Sequence, residues 1–303
     1  MRFSVWSSPT RGIDEILDIA RMADDDGWYC VWFADHYMPN TETGQVDDGD
    51  SHEAWGVLPA IAAVTNRVRL GPLVSPTSVH HPALLANRAA TIDHVSGGRF
   101  ILGLGAGWQI NEHRAYGIEL QEPKARVDRF EEAVQIIRSL LTEARTSFEG
   151  EYYQITDAPC QPKPVQRTLP ILVGTGGPRM LRITARHADQ WNTWGTPETV
   201  ADRTDAFRQA CEAVGRDPRS MWTSAQTLMF ITDDAERAAK IRATAPADRS
   251  IVGSVDQLVE TIAGYEELGL DELIIPDFTL GRDAAERRAT FERINAEIVP
   301  SFS

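Results

Sequence analysis

Short apolar runs alternate with helix-period segments along most of the chain. Phe3 to Trp6 is apolar, and Ile13, Ile16, Leu17, Ala20 and Ala23 then recur at the spacing of one helical face until Gly27. Trp28 to Ala34 is aromatic or β-branched at consecutive positions, the signature of a strand covered on both faces, and a helix is predicted from about Glu53 to Thr65. Val68 to Val74 predicts a third strand, Ala83 to Val95 a helix, and Arg99 to Gly105 a fourth strand after the turn Ser96-Gly97-Gly98. A longer loop follows, and Val127, Phe130, Val134, Ile137 and Leu141 mark a strongly amphipathic helix.

The rhythm breaks over about residues 143–169. Thr146 to Ile155 alternates like a hairpin around Glu149-Gly150, and Pro159, Pro162, Pro164 and Pro170 punctuate what comes next, so this stretch reads as an insertion. Four more strands are predicted beyond it: one ending at Gly174, then Gln190 to Trp194, Trp222 to Ile231, and Glu272 to Ile275. The helices between and after them are Pro178 to His187, one running from Thr196-Pro197 to Gly215, a short acidic one, one starting at Ser254 in a Ser-x-x-Gln capping box, and Ala284 to Ile298. Strand-helix alternation forces parallel pairing, because each crossover returns the chain to the same end of the sheet. Eight such units predict an α/β fold of the (β/α)8 TIM-barrel type with insertion segments, a single domain over residues 1–303. An open doubly wound sheet is disfavoured because the first strand-to-helix turn has no Gly-x-Gly-x-x-Gly fingerprint.

Barrel sites gather where strands end. The second strand delivers Asp35 and His36. The third delivers Ser75-Pro76-Thr77 with His80 and His81, the fourth Ala106, Gly107, Trp108 and Asn111, the sixth Trp191 and Trp194, and the eighth Asp277. After the fifth comes Gly174-Thr175-Gly176-Gly177-Pro178-Arg179, glycines that open a helix. Glycines without Cβ atoms ahead of a helix N-terminus can cradle a phosphate, and the same residues also make a plain strand-to-helix turn. Gly253-Ser254 is read as a helix cap or a second set of N–H donors. His36 can move a proton near neutral pH or simply satisfy Asp35. His80-His81 is a poor metal site, since adjacent residues point apart and no third ligand has useful spacing.

Composition narrows the partners. With 303 residues, 42% hydrophobic and 24% charged, the chain can bury a large core, and a net charge of -14 argues against nucleic acid or an anionic membrane surface. Cys30, Cys160 and Cys211 have neither metal spacing nor a pairing pattern, and no segment approaches membrane-spanning length, so a cytoplasmic protein is expected.

In order, these motifs resemble the bacterial luciferase-like flavin and deazaflavin enzymes, and most closely their F420-dependent oxidoreductases. The carriers are Asp35-His36, Ser75-Pro76-Thr77 with His81-Pro82, Ser96-Gly97-Gly98-Arg99, Gly103-Leu104-Gly105-Ala106-Gly107-Trp108, Gly150-x-x-Tyr153, Pro162 to Gln166, and Val173 to Gly177. The resemblance implies coenzyme F420, or alternatively FMN, across the barrel mouth. Its phosphate would lie at Gly176 and Gly177, with Asp35, Ser75, Ala106, Gly107, Trp108, Asn111 and Thr175 as neighbours. It implies a non-prolyl cis peptide in the third strand, placed near Pro72-Leu73, and Arg179 is a candidate for the cofactor's anionic tail.

In the family's deazaflavin-dependent sugar-phosphate dehydrogenases, a histidine, a tryptophan and a glutamate carry the chemistry. His36 matches the histidine, but Asn40 and Trp108 stand at the other two places, which argues against a sugar-phosphate substrate. The acidic loop with Glu42, Asp47, Asp48 and Asp50 also disfavours an anionic one. The expectation is hydride transfer between F420 and a small organic substrate with His36 as catalytic group. The alternatives are an FMN-dependent monooxygenase fed by a separate reductase and a non-catalytic flavin-binding barrel. Homodimers are common among such enzymes.

Overall fold

The computed structural model describes residues 1–41 and 43–302. Its first half runs β1 (Arg2–Ser7), α1 (Ile13–Asp25), β2 (Cys30–Phe33), α2 (Ala54–Val64), β3 (Arg69–Pro72), β4 (Ser75–Pro76), α3 (Pro82–Val95), β5 (Leu102–Gly105), α4 (Ile110–Ala115) and α5 (Pro123–Thr142). The second half runs β6 (Thr146–Glu149), β7 (Gln154–Ala158), β8 (Ile171–Gly174), α6 (Pro178–His187), β9 (Gln190–Trp194), α7 (Pro197–Ala213), β10 (Trp222–Gln226), β11 (Leu228–Ile231), α8 (Ala235–Thr244), β12 (Ser250–Gly253), α9 (Val255–Glu267), β13 (Glu272–Pro276) and α10 (Ala284–Glu297).

The main sheet has the order β3-β2-β1-β13-β10-β9-β8-β5-β4, with every pairing parallel. Its two end members, β3 and β4, are successive pieces of the third strand, so the order returns to its start and the barrel closes. A bridge between Leu70 and Phe100 adds to the seam. The strand is interrupted at Leu73 and Val74, and the cis peptide bond joins these two residues, one bond beyond the expected Pro72-Leu73. Pro72 still pairs in register with Phe33, so the ladder to β2 continues through it and the interruption begins at Leu73. Glycines let the neighbouring strand approach: a Cβ on Gly103 would lie 2.0 Å from the Pro72 carbonyl oxygen, and one on Gly71 would lie 2.1 Å from that of Ile101.

The strands divide their side chains between two layers, as a period of two requires. Val31 and Phe33, Ile171 and Val173, and Leu273 and Ile275 join the large cluster between strands and helices. Cys30, Trp32, Leu172 and Ile274, at the alternate positions, pack with Leu73 and Ile101 in a second cluster that fills the lumen. Glu272 is buried there too, accepting from Trp32 Nε1 at 2.7 Å and Trp222 Nε1 at 3.0 Å, and burial pushes its carboxyl up.

Two expectations change, and the hairpin insertion and the Ser254 cap hold. The segment from Trp222 to Ile231 is not one strand, because the chain leaves the barrel at Thr227. Beyond it, β11 pairs instead with β12 in a separate two-stranded parallel sheet. The long loop after the fourth barrel strand contains α4, too short for its periodicity to register. The insertion is the hairpin β6–β7, antiparallel and outside the barrel ring. The capping box at Ser254 forms in full, making Gly253-Ser254 a helix cap.

Candidate active site

A cavity of about 660 Å³ opens where the barrel strands end. Its walls follow the same alternation: Trp6 of β1, Gly174 of β8, Asn192 and Trp194 of β9, and Gln226 of β10 occupy lumen-facing positions, and Leu73 and Val74 of the interrupted strand line it as well. Trp191 does not. It is one position out of phase, 1% exposed, and stacked on Phe207 of α7 with ring centroids 4.5 Å apart, which removes it from the mouth. Asp277 is also buried away from the cavity, where Arg11 lies 3.5 Å from its Oδ2.

Of the residues expected to meet the cofactor, His36, Leu73, Ala106, Gly107, Trp108, Thr175 and Gly176 line the cavity. Gly177 is the N-cap of α6 just behind Gly176. Gly176 and Gly177 face open space, since a Cβ on either would meet nothing within 4 Å. The α6 N-terminus is therefore open to an anion, with the Gly177 N–H turned to Thr175 Oγ1 at 3.4 Å.

Asp35, Pro72, Ser75, Asn111 and Arg179 lie outside the lining. Asp35 is fully buried, and its Oδ2 accepts from Ser75 Oγ at 2.5 Å, Trp55 Nε1 at 3.0 Å and His80 Nε2 at 2.9 Å. Burial works to raise its carboxyl, but these hydrogen bonds outweigh it and hold the group below the usual carboxylate range. The cluster fixes β4 from beneath, so Asp35 and Ser75 support the cavity wall without forming it, and His80 serves Asp35 rather than a metal. His81 caps α3 through its side chain. Asn111 donates to the Pro39 carbonyl at 2.9 Å and pins the loop after β2. Arg179 is paired with Asp128 and Glu131 of α5 and lies outside the lining.

The residue the sequence did not reveal is Glu112. It is 1% exposed on α4, and its Oε1 lies 3.0 Å from His36 Nδ1 while its Oε2 accepts the Tyr37 backbone N–H at 2.9 Å. With Nδ1 directed at the carboxylate, the imidazole is held in one orientation and Nε2 is the ring nitrogen left for the cavity. Trp108 stands edge-on to the same ring, centroids 5.6 Å apart, and is 56% exposed at the mouth. Two cations line the cavity elsewhere, Arg203 of α7 and Arg249 just before β12. Asp47, Asp48 and Asp50 do not line it, and Glu42 lies outside the described residues.

Residues 1–247 match the family model described as luciferase-like monooxygenase. The chain belongs to that family. It is 34% identical over 266 residues to a protein of Kineococcus radiotolerans named F420-dependent glucose-6-phosphate dehydrogenase, covering 86% of this chain and 77% of that protein. It is 31% identical over 252 residues to the F420-dependent hydroxymycolic acid dehydrogenase of Mycobacterium tuberculosis, covering 80% of this chain and 65% of that one. Among solved structures, the coenzyme F420 dependent tetrahydromethanopterin reductase from Methanopyrus kandleri superposes with a TM-score of 0.82 at 20% identity, covering 100% of this chain and 99% of that one. That likeness establishes the fold that the luciferase-like family member shares with it. No helix among the described residues is long and apolar enough to cross a membrane.

Proposed function

We propose that this chain is an oxidoreductase that binds coenzyme F420 and exchanges a hydride with a small organic substrate, with His36 handling the accompanying proton. The observation that carries this reading is the pairing of His36 with buried Glu112 on the wall of a cavity that also holds the open glycine turn of α6. The names of the two relatives, both F420-dependent dehydrogenases, support the choice of cofactor.

The residues present suit a flat ring carrying a phosphate. Leu73 and Val74 offer an apolar floor, Trp6, Trp108 and Trp194 offer aromatic walls, and Gly176-Gly177 leaves the N-terminus of α6 clear of Cβ atoms. Trp6 Nε1, a buried polar atom on a cavity-lining side chain, has no partner among the described residues and calls for one from a bound molecule.

F420, when bound, supplies a ring carbon that gives or accepts hydride. The protein's share is the proton. Oxidising an alcohol to a carbonyl removes a hydride from carbon and a proton from oxygen, and His36 Nε2 takes that proton while Glu112 balances the charge that forms on the imidazole. In the reverse direction the same nitrogen donates it. Trp108 replaces a carboxylate expected from the family pattern, and Glu112, four residues on in the first turn of α4, brings a carboxylate to the same histidine. The proposal extends to a cytoplasmic homodimer whose cofactor is reduced or reoxidised by a separate enzyme.

Fluorescence and absorbance titrations of the purified protein with F420 and with FMN test the reading. Micromolar binding of F420 supports it. Binding of FMN alone would instead make the chain a flavin monooxygenase, the activity its family description carries, and binding of F420 without turnover on any alcohol or carbonyl compound would leave a carrier barrel.

A further inference from the structure

One end of the cavity is cationic in a protein whose net charge is -14. Arg203 reaches in from α7, and its Nη1 donates to Thr193 Oγ1 at 3.0 Å and to the Trp194 carbonyl at 2.6 Å. These bonds fix the guanidinium at the ends of β9, and among the described residues no carboxylate pairs with it. Arg249 lies over the Trp194 ring, its guanidinium 5.8 Å from the centroid and its Nε 3.1 Å from neighbouring Asp248. Both cations thus meet Trp194 on the cavity wall, Arg203 at its carbonyl and Arg249 at its ring. Between them and His36 lie Gln226, 5% exposed with Oε1 unpartnered, and Trp6, whose Nε1 is buried and unpartnered.

Each of these groups asks for something different. A fixed guanidinium with unused N–H groups, in an apolar cleft, is a receptor for an oxyanion. A buried amide oxygen needs a donor, which an oxyanion cannot supply and a hydroxyl can. We propose that the substrate carries both, an oxyanion (carboxylate or phosphate ester) held by Arg203 and Arg249 and a hydroxyl that donates to Gln226 Oε1. The substrate class is therefore a hydroxylated acid or phosphate ester, or its oxo product, rather than an uncharged alcohol. This rests on the F420 reading above and reverses two expectations: that from the acidic loop, whose Asp47, Asp48 and Asp50 are not part of the wall, and that from Trp108, since Glu112 supplies His36 with a carboxylate instead.

The test uses the full chain, with and without F420, titrated calorimetrically with inorganic phosphate, 3-hydroxybutyrate and uncharged 2-butanol. Both anions bind the wild type, 2-butanol binds at least tenfold more weakly than 3-hydroxybutyrate, and Arg203→Gln with Arg249→Gln lowers the affinity for both anions at least tenfold. The F420 dissociation constant of that double variant stays within twofold of the wild type. Arg249→Gln alone, at a half-exposed side chain, weakens both anions in the same direction, so a folding defect of the double variant does not obscure the result. Failure of phosphate and 3-hydroxybutyrate to bind, or equal binding by the variants, overturns the proposal. A loss of F420 affinity in the double variant also overturns it, because the arginines would then serve the cofactor's own anionic groups. Should the wild type fail to bind F420, the cofactor reading falls, while the anion titrations without cofactor still decide the arginine site.

Discussion

Glu112 holds His36 through Nδ1 at 3.0 Å and holds the start of the following loop through the Tyr37 N–H at 2.9 Å, so one buried carboxylate sets both the ring and its backbone. Replacing His36 with Asn removes the proton carrier, and kcat falls by about a hundredfold or more while the F420 dissociation constant moves little. Glu112→Gln keeps the shape but loses the charge that stabilises the imidazolium. It lowers kcat less than the histidine change does. Stopped-flow reduction of F420 across pH reads both effects, and an unchanged rate in His36→Asn removes the residue from the mechanism.

Gly176 and Gly177 separate binding from folding. A Cβ at either meets nothing, and neither has a positive φ, so Gly176→Val leaves the melting temperature within a degree or two of wild type. The branched side chain would occupy the space in front of the α6 N-terminus. F420 affinity therefore drops roughly tenfold, about 1.4 kcal/mol. Intact affinity would move the phosphate elsewhere.

Gly103 behaves in the opposite way. A Cβ there would fall 2.0 Å from the Pro72 carbonyl oxygen, a backbone atom of the barrel seam that cannot retreat. Gly103→Ala costs more than about 3 kcal/mol in urea unfolding. Gly12→Ala, whose Cβ has open space, serves as the control and leaves stability near wild type. Equal stability of the two variants would show that the seam is loose.

Asp35 supplies a pH signature. Its folded carboxyl lies below the ordinary value because hydrogen bonds from His80, Ser75 and Trp55 overcome the effect of burial. A depressed folded pKa gives stability that is present above the unfolded value of about 3.9 and is lost as pH falls through the folded value. Asp35→Asn is therefore less stable than wild type by about 2 kcal/mol at pH 7. The gap narrows only below about pH 4. Urea titrations at pH 7 and pH 3.5 measure both; a gap that is the same at the two values contradicts an ionised Asp35.

By itself the sequence determined the local elements and their order. The spacing of Ile13, Ile16 and Ala20 makes a helix with one buried face, the glycine turn before Pro178 starts a helix, and Ser254 with Gln257 builds its cap from hydrogen bonds within one turn. Repetition of the unit gave the barrel, since parallel strands joined by helices have few other ways to bury both faces. The motif order also led to His36, Trp108 and Gly176, all three on the cavity wall. Even some misplacements were legible in principle, because Trp191 alternates out of phase with lumen-facing Asn192 and Trp194.

Tertiary structure alone decided which distant groups meet. Glu112 joins His36 across 76 positions, and no periodicity encodes a contact that exists only after the ring closes and α4 folds over the mouth. Arg203 and Arg249 come from different connections and converge only because β9 and β10 are neighbours in the barrel. The same closure drew Arg179 to Asp128 and Glu131, since opposite charges on adjacent helices α5 and α6 find each other before a ligand does. Local sequence fixes what a segment can become; burial and charge pairing between segments fix which of its side chains are left to do chemistry.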